Sequence, residues 1–169
     1  MLELKTPLTE EETEKLEVGD MLYISGDIFC GRDAVLPKIC QMCRDGSIKT
    51  SGIDLKGGVI FHTAVSPAGV GPTSSNKLEI ESSFKTLSEN GIKMHLGKGA
   101  IKPETVQALK ENNAVFAVIP PVTALLGEKT LEQSVVAFPE EGMEAFHRLR
   151  VDKYPVIIAA AHGRSIYDE

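Results

Sequence analysis

Three short segments of this sequence combine glycine with a positively charged side chain. They are Gly31-Arg32-Asp33, Gly97-Lys98-Gly99 and the longer run from Gly71 through Thr73 and Ser74 to Lys77. An arginine offers a rigid, permanently charged fork for a carboxylate, and a lysine offers a point charge. If the segments meet, Arg32, Lys77 and Lys98 would hold a small dicarboxylate and leave the hydroxyls of Thr73 and Ser74 beside its carbon skeleton.

Each segment also has an ordinary structural explanation. Hydroxyl residues such as Thr73 and Ser74 are common caps at the start of a helix, although the free N–H groups of that helix end would also suit a carboxylate. Asp33 can cap a helix that follows Arg32, and Lys98 can be an exposed turn residue. Taken singly, both interpretations stay open. The combination favours an anion site, because each segment follows a predicted strand and α/β proteins bind ligands at strand ends.

The three cysteines and four histidines do not form a recognisable metal-binding pattern. Cys30, Cys40 and Cys43 match none of the usual iron–sulfur spacings, so we favour buried packing over ligation for them. The chain alone is therefore predicted to hold no metal or cofactor. His62 lies in an apolar run and is predicted to be structural. His162 follows the last predicted strand, where it could approach a site at the strand ends.

Length and composition indicate one soluble domain. The chain has 169 residues, 42% of them hydrophobic, so we treat 1–169 as a single domain with a polar N-terminal arm over residues 1–15. A net charge of −6 argues against non-specific binding to nucleic acid. There is no apolar run of membrane-spanning length and no apolar stretch near the N-terminus, which predicts a cytoplasmic protein without a membrane segment.

The elements that must position these side chains alternate between strands and helices. This order predicts an α/β fold with a mixed, partly parallel sheet and flanking helices. Strands are predicted at Met21–Ser25, Gly58–Val65, Ile92–Leu96, Ala114–Ile119 and Pro155–Ala161. Helices are predicted at Asp33–Arg44, Thr73–Asn90, Lys102–Asn112 and Gly142–Arg150.

The same segments, in their order along the chain, resemble a known family. The run Gly71–Leu78 is similar to the Gly-Pro-Thr-Thr-Ser-x-Arg-Met stretch of the β-type catalytic part of class I fumarate hydratases and L-tartrate dehydratases. Gly97-Lys98-Gly99 resembles that family's Gly-Lys-Gly, and the stretch from Gly26 to Arg32-Asp33-Ala34 resembles its early Ser-Gly…Arg-Asp-Ala segment. The resemblance extends over nearly the whole chain.

The resemblance implies a swivelling β/α domain that serves as the β subunit of a hydro-lyase, in a hetero-oligomer with an α-type subunit. It implies reversible hydration of a dicarboxylate such as fumarate, with a [4Fe-4S] cluster bound by the α subunit. By the same resemblance, Arg32, Lys77 and Lys98 would bind substrate carboxylates. Thr73 and Ser74 would be the catalytic hydroxyls, one of them the proton acceptor.

Three positions depart from the family pattern. Ser74 stands where the family has a second threonine, Lys77 where it has arginine, and Val35 where it often has histidine. Lys77 loses the bidentate fork of arginine, so these departures bear on the substrate more than on the reaction type. Fumarate hydratase is the leading interpretation. L-tartrate dehydratase and a non-catalytic carboxylate-binding or regulatory module remain the alternatives.

Overall fold

The structure, a computed structural model, describes residues 2–66, 69–73, 77–98, 100–119 and 129–166. Within these residues, strands and helices alternate along most of the chain. The strands are β1 (Leu2–Lys5), β2 (Met21–Cys30), β3 (Val59–Phe61), β4 (Thr63–Ser66), β5 (Gly69–Thr73), β6 (Met94–Gly97), β7 (Val115–Val118), β8 (Thr130–Ala137), β9 (Phe146–Ala161) and β10 (Arg164–Ser165). The α-helices are α1 (Glu10–Glu14), α2 (Leu36–Asp45), α3 (Lys77–Glu89) and α4 (Pro103–Glu111), and two 3-10 segments span Ser47–Thr50 and Pro139–Glu144.

Five of the strands close into a ring. β2, β3, β6 and β7 lie side by side in that order, and each neighbouring pair is parallel. The long strand β9 runs antiparallel to both β7 and β2, so it joins the two ends of the parallel set. β1 pairs with the first half of β2, β8 and β10 pair with β9, and β4 and β5 form a separate hairpin. This mixed sheet with flanking helices confirms the predicted α/β fold class.

The interior of the ring is built from alternating apolar side chains. In β2, the buried residues Leu22, Ile24, Ile28 and Cys30 are separated from one another by even numbers of positions. Successive side chains of a strand point to opposite faces, so this spacing directs one face of β2 inward. These residues form one cluster with buried residues of β3, β6, β7 and β9. Each fully buried aliphatic side chain of this kind stabilises the fold by about 1.5–3 kcal/mol.

Helices α2, α3 and α4 cover the outer side of the sheet. Ile39 of α2 and Leu87 of α3 pack together with Ile60 of β3, while Phe84 of α3 belongs to a second cluster with α4 and β7. α2 and α4 each carry a proline in the first turn, where the missing N–H costs no hydrogen bond. In the part of the chain that the structure describes, no helix is both long and apolar enough to cross a membrane.

The predicted helix Gly142–Arg150 is wrong. The 3-10 segment ends at Glu144, and Gly142 has φ 60° and ψ −120°, a conformation outside any helix. From His147 onward, buried and exposed side chains alternate through Val151, which is the pattern of a strand half-covered by the core. The residues from Phe146 to Arg150 therefore begin β9 and extend the strand predicted at Pro155–Ala161.

Other boundaries also differ from the sequence prediction; for example, the first predicted strand extends past Ser25 to Cys30, and the helix predicted from Asp33 begins at Leu36. The strand predicted at Gly58–Val65 is divided into β3 and the first strand of the β4–β5 hairpin. The predicted helix Thr73–Asn90 begins only at Lys77, because Thr73 is the last residue of β5. The edge strand β8 was not predicted. Its residues are largely exposed, so its sequence lacks the buried alternation that marks the other strands.

The N-terminal arm docks on the chain's own sheet. β1 pairs in parallel with β2, and the amide of Leu8 donates to the carbonyl of Gly57 at 2.7 Å. The side chains of Leu4 and Leu8 are buried in the core. Helix α1 then starts at a capping box in which Thr9 and Glu12 each bind the other's backbone N–H.

Candidate functional site

The ends of the parallel strands bring Arg32 and Lys98 to one edge of the sheet. Cys30 of β2 pairs with Phe61 of β3, and Phe61 pairs with Leu96 of β6, so the three strands end side by side. Arg32 lies two residues beyond Cys30, and Lys98 directly follows the last residue of β6. Both cations therefore leave the sheet at its carboxyl edge, where α/β proteins place ligands.

The hairpin β4–β5 brings Thr73 to the same edge. Thr63, two residues past the end of β3, pairs with Thr73 across the hairpin. Lys77 begins helix α3, which returns the chain toward the start of β6, so the amino end of α3 belongs to this edge too. The side chains of Thr73 and Lys77 are not described, and Ser74 lies outside the described residues. The roles given to these three residues remain predictions.

The spacing of the strands sets how far apart these positions are. Adjacent strands lie about 4.8 Å apart, so the ends of β2 and β6, with β3 between them, are separated by roughly 10 Å. Arg32 and Lys98 have the two longest types of basic side chain, and Lys98 is exposed. Side chains of this length, approaching from either side of the β3 end, are suited to contact the two carboxylates of one small molecule.

Arg32 is already engaged by a carboxylate of its own chain. Its Nε lies 2.9 Å from Oε1 of Glu144, and its Nη2 lies 3.4 Å from Oε2. Both side chains are partly buried, with 28% and 34% of their surface exposed. The hydrogen bond to Glu144 raises the pKa of Arg32, which keeps the guanidinium charged. The fork proposed to bind substrate is therefore held in place by a residue 112 positions away in sequence.

Two buried histidines lie directly beneath this edge. His62 follows β3, and its Nε2 is 3.2 Å from Nδ1 of His95, a residue of β6. The Nε2 of His95 is in turn 2.9 Å from the hydroxyl of Ser88. Phe84 stacks on the ring of His95 at a centroid distance of 4.3 Å. Desolvation lowers the pKa of His62 to about 3 and lowers the pKa of His95 well below its ordinary value, so both rings are neutral at pH 7.

His62 confirms the prediction of a buried histidine, but its hydrogen bonds are incomplete. Both side chains of the pair are fully buried. The Nδ1 atom of His62 has no hydrogen-bond partner among the described residues. Its contact with His95 was not predicted, because the two residues are 33 positions apart and meet only through the pairing of β3 with β6.

The cysteines lie in environments that disfavour the thiolate. Cys30 is fully buried inside the ring and Cys40 is buried in α2, and Cys43 is half-buried. Desolvation raises the pKa of all three thiols, that of Cys40 to about 11. Metal ligation requires the deprotonated form, so these residues are poor candidates for holding a cluster. Among the described residues, no group of three His, Cys, Asp or Glu side chains is arranged to bind a metal.

The suggestion that His162 approaches the site is wrong. It follows β9, which runs antiparallel to β7, and Ala160 near the end of β9 pairs with Phe116 near the start of β7. His162 therefore leaves from the opposite end of β7 to the carboxyl edge that carries Lys98. The residue missed at the site is Glu144, and no spacing in the sequence links it to Arg32.

Known proteins resemble this chain along its full length. The family model described as "Fumarase C-terminus" matches residues 1–169. A "Putative L(+)-tartrate dehydratase subunit beta" of Methanocaldococcus jannaschii is 32% identical, over 96% of this chain and 89% of that protein. The "L(+)-tartrate dehydratase subunit beta" of Escherichia coli K12 is 28% identical, over 98% of this chain and 86% of that protein.

A longer relative contains a similar region. A "Putative fumarate hydratase class I" of Geobacillus stearothermophilus is 29% identical over 100% of this chain, which corresponds to 34% of the relative's length. The match of the family model to all 169 residues, together with the 32% identity to the M. jannaschii protein, shows that this chain belongs to the fumarase C-terminus family.

Proposed function

We propose that this chain is the β subunit of a hydro-lyase that reversibly adds water to fumarate to give L-malate. The observation that supports the proposal is that the segments carrying Arg32 and Lys98 leave neighbouring parallel strands at the same carboxyl edge, next to the hairpin that ends at Thr73. A dicarboxylate bears two negative charges, so a site with several cations can bind both of its ends. Because the chain carries a net charge of −6, which repels an anion overall, a bound dicarboxylate needs a local cluster of cations such as this one.

The cations and the hydroxyls have separate roles in this proposal. Arg32, Lys77 and Lys98 bind the substrate carboxylates and fix the carbon skeleton. Thr73 or Ser74 accepts the proton that leaves the carbon of malate in the dehydration direction. A hydroxyl is a weak base unless nearby positive charge favours its ionised form, so the lysines and the amino end of α3 also serve the proton transfer.

We infer that the chain acts together with an α-type subunit. Two of its relatives are named as β subunits, and a third of similar sequence is a longer protein in which this region is about one third of the length. The resemblance implies a [4Fe-4S] cluster on that partner. The buried, protonated thiols of Cys30 and Cys40 do not fit cluster ligands, which supports locating the cluster's cysteines on the other subunit.

L-tartrate is the second candidate substrate, and the names of the relatives favour it. The two relatives that this chain covers over most of their length are both named for L(+)-tartrate dehydratase. Tartrate and malate are both four-carbon hydroxy diacids, so the same cations would bind either of them. The substrate is therefore best identified by a direct comparison of fumarate, L-malate and L-tartrate.

The test is to co-express the chain with its α-type partner and assay the complex on those three substrates. In wild type we expect hydratase or dehydratase activity on one of them. Lys98→Ala should lower kcat/KM by about a hundredfold, because a charged hydrogen bond to the substrate is lost. Lys85→Ala is the matched control, since Lys85 is an exposed residue of α3 two turns from its amino end.

Two results would contradict the proposal in different ways. A complex that assembles with its cluster intact but acts on none of the three substrates would refute the assigned activity. Wild-type kcat/KM in Lys98→Ala, with the activity itself present, would refute the assignment of the site. Equal losses in Lys98→Ala and Lys85→Ala would mean that the loss reflects general surface charge and not a contact with substrate.

A further inference from the structure

Glu144 binds the side-on edge of the Arg32 guanidinium, which is the edge formed by Nε and Nη2. Its two carboxylate oxygens meet Nε and Nη2 at 2.9 and 3.4 Å, which is a bidentate contact with one edge of a planar group. A guanidinium has a second bidentate edge, formed by its two Nη atoms, which points along the axis of the side chain. One carboxylate on the side-on edge therefore fixes the direction in which the end-on edge points.

The carboxylate of Glu144 is itself mounted on a well-anchored segment. On one side, Phe138 packs against the cluster that contains Leu36 and Ile39 of α2. On the other side, Phe146 is fully buried and stacks on Phe29 of β2 at 5.1 Å.

These contacts attach the chain on both sides of Glu144 to α2 and β2. β2 and α2 are also the two elements that flank Arg32 in sequence. The acceptor and the donor of the ion pair are therefore mounted on one part of the fold, and the direction of the guanidinium is set by that part.

We propose that Glu144 is a positioning residue, which holds Arg32 so that its end-on edge faces the dicarboxylate substrate. The inference rests on the proposed function, because it assigns Arg32 the role of binding a substrate carboxylate. An arginine side chain that is not oriented in advance loses rotamer entropy when it binds a ligand. A guanidinium that is already oriented loses less, so the carboxylate of Glu144 lowers KM without contacting the substrate itself.

The alternative to positioning is that Glu144 competes with the substrate for Arg32. If Glu144 instead competed with substrate for Arg32, its removal would release the fork and tighten binding. The side-on geometry favours positioning over competition, since Glu144 contacts Nε and Nη2, and a carboxylate on the end-on edge would use Nη1 and the second hydrogen of Nη2. The two possibilities predict changes in KM of opposite sign.

The experiment uses the complex with the α-type partner and five variants of this chain. They are Glu144→Gln, Glu144→Asp, Arg32→Ala, the double variant of Glu144→Gln with Arg32→Ala, and Glu141→Gln as control. Glu141→Gln makes the same change of charge in the same 3-10 segment but affects Lys38. Assembly by size-exclusion chromatography and thermal unfolding report whether each variant retains its structure.

Glu144→Gln should raise KM about tenfold while kcat changes by less than about twofold, because ground-state binding is lost and the reacting groups are untouched. Glu144→Asp, which keeps the charge on a shorter arm, should recover part of that loss. In the Arg32→Ala background, Glu144→Gln should add no further change, since the group that it positions is absent. Glu141→Gln should keep KM within about twofold of wild type.

Three outcomes would overturn the inference while leaving the proposed function intact. They are an unchanged or lowered KM in Glu144→Gln, a loss of similar size in Glu141→Gln, or effects of Glu144→Gln and Arg32→Ala that simply multiply. Wild-type kinetics in Arg32→Ala, or no activity in the wild-type complex, would instead refute the site or the activity, and the inference with it.

Discussion

Acid should destabilise this fold through its buried histidine pair, and replacing His62 should remove a defined part of that effect. His62 and His95 are fully buried and lie against Phe84 of α3, and His95 is hydrogen-bonded to both His62 and Ser88. Both are neutral when folded because desolvation disfavours the charged ring. In the unfolded chain they are free to take up a proton, so the unfolded state binds more protons as the pH falls.

The size of the effect follows from the pKa of His62 in the two states. It is 6.5 when unfolded and about 3 when folded. Stability rises with pH wherever the unfolded state binds more protons, so this contribution is complete above pH 6.5 and is lost as the pH falls below it. Between about pH 7 and about pH 5, proton binding to the unfolded His62 lowers the free energy of unfolding by about 2 kcal/mol. His95 acts in the same direction.

The assay is equilibrium unfolding in urea at about pH 7 and about pH 5 for wild type and His62→Gln. Glutamine keeps a polar group near the position of Nε2 but does not titrate, so the variant should lose about 2 kcal/mol less than wild type over this interval. His162→Gln is the control, because His162 is exposed in a turn. An equal acid-induced loss in wild type and His62→Gln would refute the argument that burial of a neutral His62 couples folding to pH.

Two further predictions concern the backbone and the thiols. Gly91→Ala should lower the free energy of unfolding by more than about 1 kcal/mol, because Gly91 has φ +115° and a Cβ would lie 2.7 Å from a backbone carbon. Gly46→Ala is the control, since Gly46 has φ +81° but no atom within 4 Å of the added Cβ. In the same thermal or urea unfolding assay, Gly46→Ala should lower the free energy of unfolding by less than Gly91→Ala does. Alkylation of the native chain, followed by mass spectrometry, should modify the half-buried Cys43 first, and modification of Cys30 and Cys40 before Cys43 would contradict their burial.

The sequence predicted the elements whose burial follows a simple period. Helix α4 was expected from Lys102 to Asn112 and is found at Pro103–Glu111, with Pro103 in its first turn. The start of β9 falls within the predicted helix Gly142–Arg150, although buried and exposed residues alternate after Phe146 as they do in a strand. β8 carries no such signal, because an edge strand that is exposed on most of its residues need not alternate.

The candidate site could be predicted only as far as its residues lie within local motifs. Arg32 and Lys98 were recognisable because each follows a strand and stands beside glycine, and parallel pairing alone brings their segments to one edge. Glu144 and His95 were not recognisable as partners of Arg32 and His62. Each contact depends on which strands are neighbours and in which register, and a single sequence does not reveal either.

The register between β2 and β9 decides whether Arg32 can meet Glu144 at all. Cys30 pairs with His147, so continuing the same antiparallel pairing two residues past Cys30 brings Arg32 opposite Ala145, next to Glu144. A shift of one residue would turn every side chain of β9 to the other face and separate the ion pair.

The register is fixed by an irregularity further along the same two strands. β9 has one more residue than β2 between the pairs made by Ile24 and Gly26. Ser25 is buried there and accepts a hydrogen bond at 2.9 Å from the amide of Lys153, which itself has φ 54°. A bulge of this kind locks the alignment of the strands on either side of it. The orientation of the fork at the carboxyl edge is therefore determined partly by a serine near the middle of β2, several residues from any atom that would touch a substrate.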